Sequence, residues 1–228
     1  MLVRQLTRQL STSLNSALSG VAEAITRVLI DLSPTSNGFY LLGSEFVVTG
    51  EFEAEIDILT SSTDSFSMIF GGSSSGDYLA IRSGGELRLS MNGTVFNQTT
   101  GGYNDGVLHT VKIARVGTTV SISADDVPLL TATNTDPFKV DRAGNWANNS
   151  FYFNGVESNL RLTDVATPAN NLEFALNQLT ANTEINNGVT VTYNNIGTAS
   201  TIRNTYTLSA DGTQLISDLR TIDIAAQA

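Results

Sequence analysis

Apolar and polar residues alternate most regularly between Asp105 and Asp126. Val111 and Ile113 alternate with Thr110, Lys112 and Ala114; past Gly117-Thr118, Val120, Ile122 and Ala124 alternate with Thr119, Ser121 and Ser123. A period of two over both runs predicts two half-buried strands. Gly117 marks a tight turn between them. The resulting hairpin has one apolar face, which needs a second sheet to cover it.

The same punctuation continues on either side. Phe52, Ala54, Ile56 and Ile58 alternate with Glu51, Glu53, Glu55 and Asp57, and Phe66, Met68 and Phe70 lie on a further strand closed by Gly71-Gly72. Residues 78–82 and 86–91 flank Ser83-Gly84-Gly85 as another hairpin. Residues 129–131, 151–153 and 160–163 also read as strands, with a long loop from Pro137 to Asn149. About a dozen strands from Phe39 onward, with turn signals at this spacing, predict an all-β sandwich.

A different period governs the N-terminus. Leu2, Leu6, Leu10, Leu14, Leu18, Val21, Ile25, Val28 and Leu32 form a stripe with steps of three or four, the spacing of one face of an α-helix. Its mean step exceeds the helical 3.6, so copies packed along it would drift from the left-handed heptad supercoil. Gly20 weakens the middle by about 1 kcal/mol relative to Ala. Residues 1–33 are expected to be an amphipathic helical anchor or oligomerisation segment, burying its stripe in other subunits. The run from Ser33-Pro34 to Gly38 ends it as a linker.

Past Thr167-Pro168 the texture changes again. Residues 172–176, 189–193, 205–209, 214–217 and 221–224 read as strands, with Ala210-Asp211-Gly212-Thr213 as a turn. These strands could complete the first sandwich, but their extent favours a small C-terminal β module, residues 166–228, beside a main sandwich of residues 34–165. A piece below about 70 residues rarely has a sufficient core, so it should pack on the sandwich or on a neighbouring copy.

Composition narrows the function. A formal net charge of −10 argues against nucleic acid, since a duplex demands a basic footprint. The same acidity keeps a densely displayed protein soluble. Cysteine is absent, which removes disulfides, thiolate metal sites and thiol nucleophiles. No unbroken apolar stretch follows Arg4 and Arg8, so no signal peptide is expected, and no apolar run is long enough to span a bilayer.

Two motifs carry a family resemblance. The run Asp105-Gly106-x-Leu108-His109-Thr110-Val111-x-Ile113-x-Arg115-x-Gly117-x-x-Val120-x-Ile122 resembles the central hairpin of laminin-G and concanavalin-A-like jelly rolls. Phe153-Asn154-Gly155-x-x-Ser158-x-Leu160-Arg161-Leu162-x-Asp164 resembles their closing strand. Leu108 stands where Trp is usual, and Asp125-Asp126 where the family closes its next strand with Asp-Gly. The two motifs extend the resemblance over residues 39–164 and imply a laminin-G-like jelly-roll sandwich.

Catalytic chemistry is hard to place on this chain. Glu55-Ile56-Asp57-Ile58-Leu59-Thr60 is similar to the strand on which retaining β-glucanases of this fold carry a nucleophile and an acid/base. Thr60 holds the second glutamate's position and cannot protonate a leaving group, so the strand reads as a solvent-facing acidic row opposite an apolar one. His109 is the single histidine and has no nucleophile elbow nearby, so a packed or hydrogen-bonded role is expected. Gly71-Gly72 and Gly101-Gly102 are hairpin turns without the setting of a phosphate loop.

The resemblance also implies a Ca²⁺ at the sandwich rim. The oxygen-rich groups, Asp125 with Asp126 and Asp136 with Asp141 and Asn145, lack a ligand spacing and read as solvated turns, so no cofactor is expected. Trp146 stands in a loop rich in amides, with Asn145, Asn148 and Asn149 beside it. A ring flanked by hydrogen-bonding amides suits a sugar, and equally a plug for the sandwich end. Tyr78 and Tyr103 are the other aromatic candidates.

An N-terminal anchor, a laminin-G-like sandwich, an acidic cysteine-free surface and a terminal β module together resemble bacteriophage virion proteins. That resemblance implies a non-enzymatic structural protein, a head decoration, head fibre or tail fibre, made in the host cytoplasm and displayed on the virion surface. It implies a homo-oligomer, a trimer by preference, joined to other virion proteins through the segment from Leu2 to Val28 and touching host-surface glycans. A glycan-active hydrolase or lyase and a bacterial surface adhesin are the alternatives. Release of reducing ends from polysaccharide would mark the first, an export route the second.

Overall fold

The computed structural model describes residues 25–32, 38–72, 76–146, 150–176, 183–194, 200–208, 214–216 and 221–223. Among them the strands run β1 (Ile25–Asp31), β2 (Phe39–Val48), β3 (Phe52–Leu59), β4 (Ser67–Gly71), β5 (Tyr78–Ile81) and β6 (Leu87–Met91). Next come β7 (Thr94–Asn97), β8 (Leu108–Val116), β9 (Thr119–Ala124), β10 (Val127–Thr133), β11 (Phe138–Ala143) and β12 (Val156–Asp164). The chain ends with β13 (Leu172–Phe174), β14 (Thr183–Asn186), β15 (Val189–Asn194), β16 (Ser200–Leu208), β17 (Gln214–Ile216) and β18 (Thr221–Asp223). One sheet has the order β10-β9-β8-β3-β12-β1-β16-β17-β18, with β13 also on β12; the other runs β14-β15-β2-β11-β4-β5-β6-β7. This is the all-β sandwich that the alternation predicts.

Each sheet turns its period-two apolar positions toward the other. Phe52, Ala54, Ile56 and Ile58 of β3 share one buried cluster with Leu42, Phe70, Leu79, Leu89 and Phe138 of the facing sheet. Phe52 stacks on Phe138 with centroids 4.3 Å apart and planes 7° from parallel, and Phe138 meets Phe70 edge-on at 6.0 Å. Burying such a ring is worth about 1.5–3 kcal/mol, and Phe52→Ala should cost about 3–5 kcal/mol through the cavity it leaves.

The organising hairpin has the expected form. β8 and β9 pair from Val111↔Ala124 to Val116↔Thr119, with Gly117 at φ +59° in the turn. Asp125 and Asp126, both at positive φ (50° and 64°), form the next turn into β10. Two successive left-handed residues match the twist of a hairpin, and a short polar side chain tolerates them. Arg115 of β8 is 2% exposed. Its Nε donates to Gly50 O at 2.8 Å, Nη1 to Asp136 O at 2.5 Å and Nη2 to Val48 O at 3.4 Å, while the guanidinium lies 5.1 Å from the Phe52 centroid. One side chain thereby ties the β2–β3 and β10–β11 connections, which run between the two sheets.

Three expectations are corrected. The stripe assigns Ile25, Val28 and Leu32 to a helix, but residues 25–31 are strand β1, paired with β16 from Ile25↔Tyr206 to Asp31↔Ser200 and with β12 at Asp31↔Val156. Ile25, Thr26, Val28 and Ile30 are β-branched, which favours a strand once neighbours exist to pair with. Leu29, Ile30 and Leu32 are buried in the chain's own sandwich; Leu2, Leu6, Leu10, Leu14, Leu18 and Val21 lie outside the described residues. Next, the boundary at residue 165 is crossed by both sheets. β13 pairs with β12 (Leu160↔Phe174) and β15 with β2 (Val191↔Leu42), and Leu172, Phe174, Leu176, Val191 and Tyr193 enter the common core. So short a piece has too little core to stand apart. Finally, the presumed loop after Pro137 contains β11, a central strand, whereas residues 151–153 are irregular.

Candidate functional site

Alternation along β5 and β6 fixes what the second sheet shows to the outside. Leu79, Ile81, Leu87, Leu89 and Met91 fill the core, so Tyr78, Ala80, Arg88 and Ser90 project from the other face. Tyr78 and Ala80 are nevertheless buried, together with Met68 of β4, because Phe66 and Trp146 pack over them. The cover is a closed ring of four aromatic side chains. Its centroid spacings are 5.5 Å for Phe66–Tyr78, 5.6 Å for Tyr78–Trp146, 5.5 Å for Trp146–Phe151 and 5.5 Å for Phe151–Phe66. Three of the four pairs meet edge to face, the arrangement the ring quadrupoles favour.

Trp146 and Phe151 are brought together by an isolated antiparallel bridge between Trp146 and Ser150. Trp146 N donates to Ser150 O at 2.9 Å, and Met68 N donates to Phe151 O at 3.0 Å. The second bond holds Phe151 at φ +54°, left-handed for a bulky side chain, and the residue remains 45% exposed. A conformation of that kind costs about 1–3 kcal/mol and persists where surrounding contacts over-determine it. Arg88 borders the ring, its guanidinium 5.5 Å from the Phe66 centroid and 5.9 Å from that of Tyr78. Across the ladder Arg88 faces Ala80 on one side and the exposed Asn97 on the other.

Trp146 and Tyr78 are adjoining members of one aromatic cluster, but only Trp146 is partly exposed and Tyr78 is buried beneath it. Asn145 is completely buried, out of reach of a ligand on that face, and Asn148 lies outside the described residues. Tyr103 belongs to a different place, edge-on to His109 at 5.1 Å and 87°. Sequence reasoning missed Phe66, Phe151 and Arg88. The period of two through Phe66, Met68 and Phe70, and through Leu87, Arg88 and Leu89, held part of the signal, but alternation alone does not say which outer face is covered.

His109 lies between two carboxylates, with Nδ1 2.6 Å from Asp125 Oδ2 and Nε2 3.0 Å from Asp105 Oδ1. Burial works against its charge, but hydrogen bonds and attraction from Asp125 and Asp105 outweigh it and raise the imidazole pKa. Thr110 N also donates to Asp125 Oδ1 at 2.9 Å. His109 is thus a fastening between the start of β8 and the β9–β10 turn.

The acidic strand β3 is only partly the solvent-facing row expected of it. Asp57 is 4% exposed and accepts from Thr110 Oγ1 at 2.6 Å and from Asn159 Nδ2. Glu55 pairs with Arg161 at 3.5 Å, and burial, then the Asp57 charge, raises its pKa. Thr60 Oγ1 donates to Asn154 O at 2.6 Å and accepts from Ser62 N at 3.0 Å. All three side chains are held by protein partners. The oxygens considered for calcium are similarly engaged: Asp125 by His109 and Thr110, Asp136 by Asn134 Nδ2 at 3.1 Å, Asp141 by Arg142 at 2.8 Å. Among the described residues no group of three or more His, Asp or Glu side chains is placed to hold a metal ion.

Two further features complete the survey. A cleft of about 310 Å³ lies between β2 and the segment that returns beside it, lined by Ser44, Glu45, Asn170, Asn187 and Val189 among others. In the interior, Glu157 of β12 is fully buried, its two carboxyl oxygens without hydrogen-bond partners, and burial raises its pKa well above the ordinary carboxylate value.

No protein-family model and no curated protein matches this chain. Among solved structures, a candidate carbohydrate-binding protein from Bacteroides ovatus superposes with a TM-score of 0.58 at 13% identity, over 80% of this chain and 60% of that one. The chain thus spans less than two thirds of the Bacteroides protein. The LG1–3 region of the laminin alpha2 chain gives a TM-score of 0.47 at 17% identity over 71% and 30% of the two chains. The heptameric SAP-like pentraxin of Limulus polyphemus gives 0.47 at 14% over 75% and 97%. The likeness is one of fold, that of an all-β sandwich of two packed sheets.

Proposed function

We propose that this chain is a non-catalytic glycan-binding module, displayed on the surface of a bacteriophage particle, as a homo-oligomer held to other virion proteins through its N-terminal segment. The observation that carries the glycan reading is the exposed Phe151 ring, kept in a costly backbone conformation beside Trp146. Sugars present one apolar face, and a partly exposed pair of rings fixed from below offers the complementary surface without loss of side-chain freedom. The candidate carbohydrate-binding protein of Bacteroides ovatus, on the same fold, points the same way. Structural partners on Glu55, Asp57 and Thr60 favour binding over hydrolysis. The virion setting rests on the acidic, cysteine-free composition and the Leu-striped leader.

A glycan array probed with the intact protein tests the binding. Phe151→Asn, which tolerates a left-handed backbone, and Trp146→Ala should each abolish the signal, with Phe151→Asn leaving the melting temperature intact. A blank array for the unaltered protein would overturn the reading.

A further inference from the structure

Arg88 differs from the other buried or half-buried arginines among the described residues. Arg115 is spent on main-chain carbonyls, Arg142 on Asp141, and Arg161 on Glu55 and Glu173; Lys112 lies 4.0 Å from Asp126. No carboxylate among the described residues pairs with Arg88, and its buried Nε has no hydrogen-bond partner. The guanidinium carbon lies over two rings, 5.5 and 5.9 Å from their centroids. We infer that the outer face of β5 and β6 recognises a carboxylated sugar, a uronic or sialic acid, whose carboxylate is taken by Arg88 while its ring lies toward Trp146 and Phe151.

This deepens the proposed glycan binding and rests on it. A guanidinium offers parallel N–H donors that match both oxygens of a carboxylate, and one pre-oriented by stacking loses little freedom on binding. The aromatic wall excludes water from one side of the pair and so strengthens it. Asn97, directly across the ladder and exposed, supplies both an amide donor and an acceptor for neighbouring hydroxyls. The net charge of −10 selects among acidic ligands. Repulsion at a distance disfavours a densely sulfated chain, which needs a basic field, but is screened beyond about 8 Å at physiological salt and leaves a single contact carboxylate free to bind.

Affinity electrophoresis of the intact protein decides the matter, in gels containing polygalacturonate, polysialate, carboxyl-reduced polygalacturonate or dextran sulfate, which is sulfated but has no carboxylate. Retardation by polygalacturonate or polysialate, absent with the carboxyl-reduced polymer and dextran sulfate, is expected, and shows which acid is the source. Arg88→Gln should weaken the retarding interaction about tenfold or more, and Arg88→Lys less, because an ammonium keeps the charge but not the paired donors. Circular dichroism checks that both variants are folded. Equal retardation by the carboxylated and reduced polymers, or an Arg88→Gln variant that is folded and unaffected, overturns the carboxylate assignment and leaves glycan binding standing. Binding to dextran sulfate alone also overturns it. Retardation by none of the polymers overturns this inference, while the broader reading falls only with a blank array.

Discussion

A methyl group placed on Gly144 would sit 3.2 Å from Oε2 of Glu157, with Leu32 Cδ1 and Phe39 Cα each at 3.3 Å. Gly144 also has φ +87°, so its lack of a side chain serves both a left-handed backbone and the space around a buried carboxyl. Gly144→Ala should therefore destabilise the fold by about 1–3 kcal/mol, from backbone strain alone and before any crowding. Urea denaturation measures it.

Glu157 itself gives the sandwich a pH dependence. Its folded pKa is raised by burial well above 4.5, so the folded state holds the proton more tightly than the unfolded chain. Stability from this group is complete below about pH 4.5 and declines as pH rises toward the folded pKa. Glu157→Leu should flatten that decline and raise stability at pH 7 by about 1–3 kcal/mol, the cost of an unsatisfied buried polar group. Denaturation midpoints at several pH values, for both proteins, decide it. A steeper decline in the variant would contradict the assignment.

His109 adds a step at higher pH. Its pKa is also raised, so its contribution is full below about 6.5 and is lost as pH climbs through the folded value. His109→Gln should remove the histidine's share of the loss above pH 6.5 and keep the Glu157 slope. Asp105 acts in the opposite sense: its pKa is lowered, despite burial, by hydrogen bonds from Val107 N and His109. Its contribution is present above about 3.8 and fades as pH falls. An NMR titration of the lone imidazole follows the pair directly.

Arg115 should be irreplaceable by lysine. Lysine can point three donors but cannot reach Gly50 O, Asp136 O and Val48 O in one plane while lying on Phe52. Arg115→Lys is expected to cost about 3 kcal/mol or more, since hydrogen bonds to charged groups are worth about 1.5–3 kcal/mol each. Thermal unfolding of the variant reads this as a clear fall in Tm.

Phe151→Gly should show stability and binding moving apart. Removing a bulky residue from φ +54° relieves strain, and a gain of about 1 kcal/mol would raise Tm by about 2–4 °C in a chain of this size. Glycan retention should fall at the same time. A drop in both would mean that the ring serves mainly as packing.

Much of the fold could be read from the chain. Val111, Ile113, Val120 and Ile122 alternate so strictly that the hairpin, its turn and its buried face follow from period alone. β11 escaped because Phe138, Val140 and Ala143 make too short an alternation, behind Pro137 and among Lys139, Asp141 and Arg142. β1 was misread since Ile25, Val28 and Leu32 continue a helical spacing, and only the pairing partner, β16, some 170 residues later, makes a strand the better outcome. At the candidate site Trp146 stood out as the lone tryptophan and Tyr78 as an aromatic on a strand. The other half of the ring, Phe66 and Phe151, comes from segments 85 residues apart, which no local pattern joins. The strand assignment also changes how the N-terminal segment is tested: shortening the chain to begin at residue 25 keeps β1, whereas beginning at Ser33 removes it. Only the first should leave Tm unchanged, and if it still sediments as an oligomer, the leader is not what assembles the protein.

Because β1 and β16 run antiparallel, residue 25 lies beside residue 206 at one end of the seam. A mechanical load drawing those two points apart would peel the strands rung by rung instead of straining every rung together. Resistance would be low and gradual at this seam, with the stacked aromatic core engaged last, so a tether through both flanks would yield in small steps long before the layers themselves separate.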